Sequence, residues 1–212
     1  MISITGRKDF PILYGLDKTQ AESLKGEGFS IRDMRNDWDY VYLVKDLIDL
    51  PGERYYSKRK NINKCIYEFR PEYKPISKTI IEQCKELQTS WCNLRECDSI
   101  PELKAENEAI KETFLHFSDL SVFGGVILVD GKVEAFTVGE KLNGDTAVVH
   151  FEKANPNVAG LYQVINQRFC SDALRGFKYV NREQDLGIAG LRQAKMSYHP
   201  TFLIEKFVAT TS

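Results

Sequence analysis

The chain has 212 residues, 42% hydrophobic and 28% charged, enough for one sizeable core or for one domain and part of another. Its net charge of −1 gives no overall basic field, so a contact with a polyanion has to come from a local cluster. The five cysteines lack C-x-x-C spacing and read as reduced thiols of a cytoplasmic protein, and no metal site is expected. No apolar run reaches the roughly 18 residues of a membrane-spanning helix, and no signal-peptide core is visible at the start.

Residues 1–50 read as a small αβ piece. LDKTQAESLKGEGF predicts a helix from Asp17 to about Lys25, stopped by Gly26 and Gly28. FSIRDMR and DYVYLV predict two strands joined by a polar turn at Asn36–Asp37. Such a piece is too short to bury a good core alone, so its apolar strand is expected to promote self-association. Residues 51–66 read as a basic linker. Arg54, Lys58, Arg59, Lys60 and Lys64 lie there without an acid among them from Arg54 to Lys64, and tyrosines flank the run.

From Tyr67 a domain reaching residue 212 is expected. A short strand in YEFRPEYKP comes first. Ile80, Ile81, Cys84, Leu87 and Trp91 then recur at helical spacing. A second helix opens at SIPE, with Ser99 as the expected N-cap and Glu102 completing a capping box. Asp130–Gly131 and the Asn143–Gly144–Asp145 turn divide the next stretch into a three-strand antiparallel meander. NPNVAGLYQVINQRFC predicts a helix, FKYVNRE a strand, GIAGLRQAKMSY a helix and FLIEKFVA a final strand. The order is β-α-α-β-β-β-α-β-α-β, an α/β mixed sheet with helices on both faces. The helical crossover makes the strand around residue 180 parallel to its predecessor.

This order is that of the GNAT-type acyltransferase fold. VHFEKANPNVAGLYQVINQRFC, YVNREQDLGIAGLRQAKMSYHP and LIEKF, with the upstream YLVKDLIDLPGERYYSKRKNINK and YEFRP, resemble the family of the C-terminal domain of phosphatidylglycerol lysyltransferase, over roughly residues 38–207. The resemblance implies transfer of an aminoacyl group from a charged transfer RNA. It also implies two GNAT-like units in tandem, of which this chain would hold a complete second and the tail of a first. Acetyltransferases of the fold often carry R/Q-x-x-G-x-G/A after the fourth strand. KANPNVAG does not match that pattern.

Acyl transfer needs an activated ester or thioester beside an acceptor, a polarised carbonyl and a group to take a proton. Period-2 alternation in TAVVHFEKA puts His150 and Glu152 on one face, with Val149 and Phe151 on the other. The same period in FKYVNRE groups Asn181 and Glu183. These four are expected to face one cleft at neighbouring strand ends, with Glu152 or Glu183 as base and His150 next. Arg192 and Lys195, three apart on the last helix, would hold an anionic part of the donor, against the plainer reading of cations near a helix end. Asn157 and Gly160 open the crossover helix, whose free amides can take a phosphate or be satisfied by ordinary capping. Arg182, Asp185 and Tyr198 read as structural. The donor is expected to be aminoacyl-tRNA or an acyl-CoA, with no tightly bound cofactor. The basic run 54–64 suggests an anionic lipid surface or a nucleic-acid backbone, against a solvated linker. A GNAT-like module that binds a ligand or protein without catalysis is the competing reading.

Overall fold

The computed structural model describes residues 3–7 and 10–211, with backbone alone as far as residue 11. They divide into two compact units, Met1–Val41 with Arg182–Ser212, and Tyr42–Asn181.

The first unit is built from both ends of the chain. A four-stranded antiparallel sheet runs in the order β1 (Ser3–Arg7), β2 (Phe10–Leu16), β11 (Phe207–Thr211), β3 (Phe29–Asp33). Helix α1 (Lys18–Ser23) starts at Asp17, whose carboxylate takes the Gln20 amide while the Gln20 side chain takes the Asp17 amide, a reciprocal capping box. Leu16, Ala21 and Ala209 form the core. The expected single strand FLIEKFVA is two strands. β10 (Phe202–Ile204) pairs antiparallel with Asp39–Val41, and β11 inserts between β2 and β3. The chain's C-terminal strand thus completes the N-terminal sheet. The strand β4 (Asp39–Leu43), expected to leave apolar surface open, has Tyr40, Val41 and Tyr42 buried. Helix α7 (Ala189–Met196) also belongs to this unit.

The second unit holds the strand order β9-β8-β7-β6-β5. The meander is as expected: β6 (Val122–Val129), β7 (Lys132–Lys141) and β8 (Thr146–Ala154) pair antiparallel in turn, and β5 (Glu72–Pro75) borders β6. Asp130 and Gly131 both have positive φ, the geometry of a tight hairpin turn. Helices α4 (Ile81–Arg95) and α5 (Pro101–Leu115) cover one face, where Cys84, Leu87, Ile110 and Phe114 pack on Val126, Leu128, Phe136 and Val138. Residue Ile100, not Ser99, occupies the N-cap of α5 and gives no side-chain cap. Helix α6 (Leu161–Asp172) takes the other face, where Phe169 meets Phe123, of opposite strand parity to Val126 and Leu128. Behind it lie α2 (Val44–Asp49) and α3 (Tyr56–Phe69).

Residues 51–66 are therefore not an open linker. Ile62, Cys65, Ile66 and Phe69 recur at i, i+3, i+4 and i+7, and this apolar stripe makes α3 a packed helix beneath its charges. Cys92 and Cys97 are joined as a disulfide, with Cα atoms 5.0 Å apart, which corrects the reading of five free thiols. Cys65, Cys84 and Cys170 are free and buried.

Candidate active site

Strand β9 (Tyr179–Asn181) is parallel to β8, as a helical crossover requires, and its register with β8 covers Thr146, Ala147 and Val148 alone. Beyond Val148, β8 keeps β7 on one side and has no paired β9 residue on the other. The Asn155 amide donates to Glu134 O at 2.8 Å, so alternate amides point to β7 and those of Glu152 and Ala154 point to the vacated side.

The parting begins at a bulge. Val138 pairs with Phe151 and Gly139 with Val149, which leaves His150 as the extra residue. Gly139 permits it: a Cβ there would lie 2.3 Å from the Val148 carbonyl oxygen. The bulge also corrects the alternation expected of TAVVHFEKA. Phe151 packs with the α4–α5 core and His150 Nε2 lies 3.1 Å from Glu140 Oε1 on β7. Glu152 turns toward α6 and accepts a bond from Asn166 Nδ2 at 3.3 Å. His150 and Glu152 therefore do not share one face.

Asn166 was not legible as a site residue, because it sits within the apolar stripe of α6. It is 2% exposed, and its Oδ1 has no hydrogen-bond partner. A buried acceptor left unpaired costs about 1–3 kcal/mol, so the amide earns its place through what its nitrogen holds, the Glu152 carboxylate.

A second polar cluster lies at the end of β8. Lys153, 6% exposed, reaches Glu106 Oε2 at 2.6 Å and stands 4.1 Å from the Trp91 ring centroid. Trp91 Nε1 donates to the Tyr162 hydroxyl at 3.0 Å. Burial pushes the Tyr162 phenol up, against the Ala154 backbone and Trp91 hydrogen bonds that lower it, so the hydroxyl keeps its proton at neutral pH.

The opening of α6 is largely self-satisfied. Asn155 Oδ1 takes the Asn157 amide, and the Val158 and Leu161 amides bond to the carbonyls of Asn155 and Val158. Gly160, at φ 85°, is the N-cap, and a Cβ there would lie 2.5 Å from Asn61 O on α3, so it serves close helix packing. Asn181 is buried opposite Val148.

Glu183, Arg192 and Lys195 lie in the first unit, where Asp185 is the organising group. Asp185 is fully buried and accepts bonds from Tyr40 Oη (2.5 Å), Arg192 Nε and Nη2 (2.8 and 2.9 Å), Arg35 Nη1 (3.2 Å) and the Gly187 amide (2.8 Å). Burial alone would raise its pKa, but the Arg192, Tyr40 and Gly187 bonds outweigh it and hold the carboxyl well below the usual range. Lys195 Nζ caps three successive carbonyls, of Arg182, Glu183 and Gln184, at 2.5, 3.1 and 2.6 Å. That clamp holds Glu183 at φ 54° and supports a turn with Leu186 and Gly187 also at positive φ. Arg192 and Lys195 thus both have hydrogen-bond partners inside the fold.

The basic run is similarly engaged. Arg59 Nη1 binds the carbonyls of Leu50 and Gly52, Arg54 pairs with Asp46 at 3.1 Å, and Lys64 stands 3.7 Å from Glu68. Lys60 is exposed and Lys58 half-buried. No group of metal-ligating side chains occurs among the described residues, and no helix among them is long and apolar enough to cross a membrane.

Comparisons with known proteins agree with this architecture. A crystal structure of a conserved protein from Bacteroides thetaiotaomicron is similar at 35% identity and TM-score 0.89, over 95% of this chain and 69% of that one. The L-PGS structure from Bacillus licheniformis is similar in fold, with TM-score 0.67 at 12% identity, over 93% of this chain and 66% of that one. An uncharacterized protein of Mycoplasmoides gallisepticum, MYCGA3080, is 22% identical over 176 residues, 80% of this chain. The chain spans about half, 55%, of that curated relative's length. The fold is of the GNAT type. The model of the family described as phosphatidylglycerol lysyltransferase, C-terminal, matches residues 4–210, and the chain belongs to that family.

Proposed function

We propose that this chain is an acyltransferase that seats an activated acyl donor along the stretch of β8 that has parted from β9. The observation that carries the reading is the short parallel register, Thr146–Val148 only, followed at once by the bulge at His150. It leaves the Glu152 amide directed to the vacated side, in position to polarise a carbonyl. The Glu152 carboxylate, held by Asn166, takes the proton of an attacking amine or hydroxyl; the carbonyl carbon gains the new C–N or C–O bond, and its old bond to the leaving oxygen or sulfur breaks. The donor is aminoacyl-tRNA, with an acyl-CoA second. Within the same unit, His150 is the other proton-handling candidate. Lys60 and Lys64, exposed on α3, are candidates for contact with an anionic donor or head group.

A non-catalytic ligand-binding module is favoured by one observation, the self-satisfied first turn of α6, which spends amides that a pyrophosphate would use. Purified protein incubated with isotopically labelled aminoacyl-tRNAs and acyl-CoAs, with phosphatidylglycerol vesicles and small amines as acceptors, separates the two. Transfer that Glu152→Gln abolishes supports the enzyme. Saturable donor binding without transfer supports the module.

A further inference from the structure

Apart from the opening of β8, the second unit has a cleft of about 250 Å³ between α4, the start of β7 and the Asn155–Asn157 turn. That is room for about eight water-sized groups, allowing about 30 Å³ each. We propose that it binds an organic ammonium ion with a short aliphatic body.

The charge of the lining sets the sign of the ligand. Glu86 and Glu134 both border the cleft, with Lys132 as the cation there. Glu134 is a partly desolvated carboxylate, its side chain 12% exposed. One oxygen is fixed by a neutral donor, Asn155 Nδ2 at 2.6 Å. The other faces Lys132 Nζ at 3.6 Å, a long contact to a side chain that is 73% exposed. A contact of that length to a solvated lysine contributes little. A carboxylate has about four acceptor sites, so Glu134 retains capacity for an ammonium hydrogen, and its fixed orientation removes part of the entropy cost of binding. Leu87 and Trp91 supply the apolar wall that an aliphatic chain needs, and an aromatic ring favours a cation over an anion of the same shape. That indole already has the Lys153 ammonium at 4.1 Å and the Arg95 guanidinium at 5.8 Å, so the carboxylates hold the ligand's charge and Trp91 serves as apolar wall.

The role of that ligand rests on the transferase reading, in which the amine is the acceptor; the binding itself does not. The test is therefore a binding measurement. Isothermal titration of the full chain with n-pentylamine, n-pentanol and pentanoate at pH 7 compares three ligands of one shape and different charge. Pentylammonium should bind at least about tenfold more tightly than pentanol, as a charge-assisted hydrogen bond requires, and pentanoate should not bind. Glu134→Gln should remove that preference, and Lys132→Met, an exposed change that frees the same oxygen, should strengthen pentylammonium binding. Lack of saturable pentylammonium binding, equal binding of the three ligands, or a preference untouched by both variants overturns the proposal. Binding without transfer to the amine would leave this site standing and count against the transferase reading.

Discussion

Replacing Asp185 by Asn tests whether one buried carboxylate organises the first unit. The carboxylate has no solvent exposure and receives donors from Arg35, Tyr40, Arg192 and the Gly187 amide. Asn keeps the shape but loses the charge, and its NH2 meets groups that are themselves donors. Removing one partner of a buried ion pair costs about 3–5 kcal/mol. The side chains of Arg35 and Arg192 are 31% and 36% exposed and recover some hydration, so the lower end, about 3 kcal/mol, applies. For a chain of this length that is about 6–12 °C in Tm. The pH dependence has a definite sign. The folded carboxyl titrates below its ordinary value, so its contribution is complete above about pH 4 and is lost as pH falls toward the folded value. The gap between wild type and Asp185→Asn should therefore be widest at neutral pH and close only in acid. Thermal and urea unfolding followed by circular dichroism from pH 7 to pH 2 measures it. A variant within about 0.5 kcal/mol of wild type at pH 7, the range of ordinary surface substitutions, would refute the reasoning.

Gly160→Ala should cost about 1–3 kcal/mol in urea unfolding, since the site has φ 85° and its Cβ would meet Asn61 O at 2.5 Å; a neutral result would show that α3 yields there. Asn166→Leu should leave melting within a few degrees, because it removes an unpaired Oδ1, yet lower transfer by about tenfold through Glu152; large destabilisation with normal turnover would make Asn166 purely structural. Burial pushes the Cys84 thiol up to about 12, so iodoacetamide at pH 8 should spare it in the native protein and label it in urea. Cys92 and Cys97 should label only after reduction, as mass spectrometry reads directly.

The meander was legible because Asp130–Gly131 and the Asn143 turn are local signals, and local signals survive without knowledge of the rest of the fold. Helix α3 is hard to read in the sequence because Ile62, Cys65, Ile66 and Phe69 are diluted by lysines and asparagines, which mask the apolar period. The bulge at His150 depends on how closely Gly139 on the next strand can approach, a two-strand property that alternation within one strand does not carry. The many charges of Asn181–Pro200 announce a junction, but only the folded chain shows that Asp185 and Lys195 spend several of them on the turn itself. The C-terminal strand's place between β2 and β3 is a long-range pairing, invisible to any local pattern.

The most direct test of the proposed donor site is hydrogen–deuterium exchange by mass spectrometry, with and without a nonhydrolysable aminoacyl-tRNA analogue or an acyl-CoA. Val149–Ala154 lies on the parted side of β8, where the Glu152 amide is directed to the gap. The account predicts that a bound donor slows exchange in that stretch, and that Glu152→Gln preserves this protection while abolishing transfer. Donor binding that leaves Val149–Ala154 unchanged and protects a different part of the chain would contradict it.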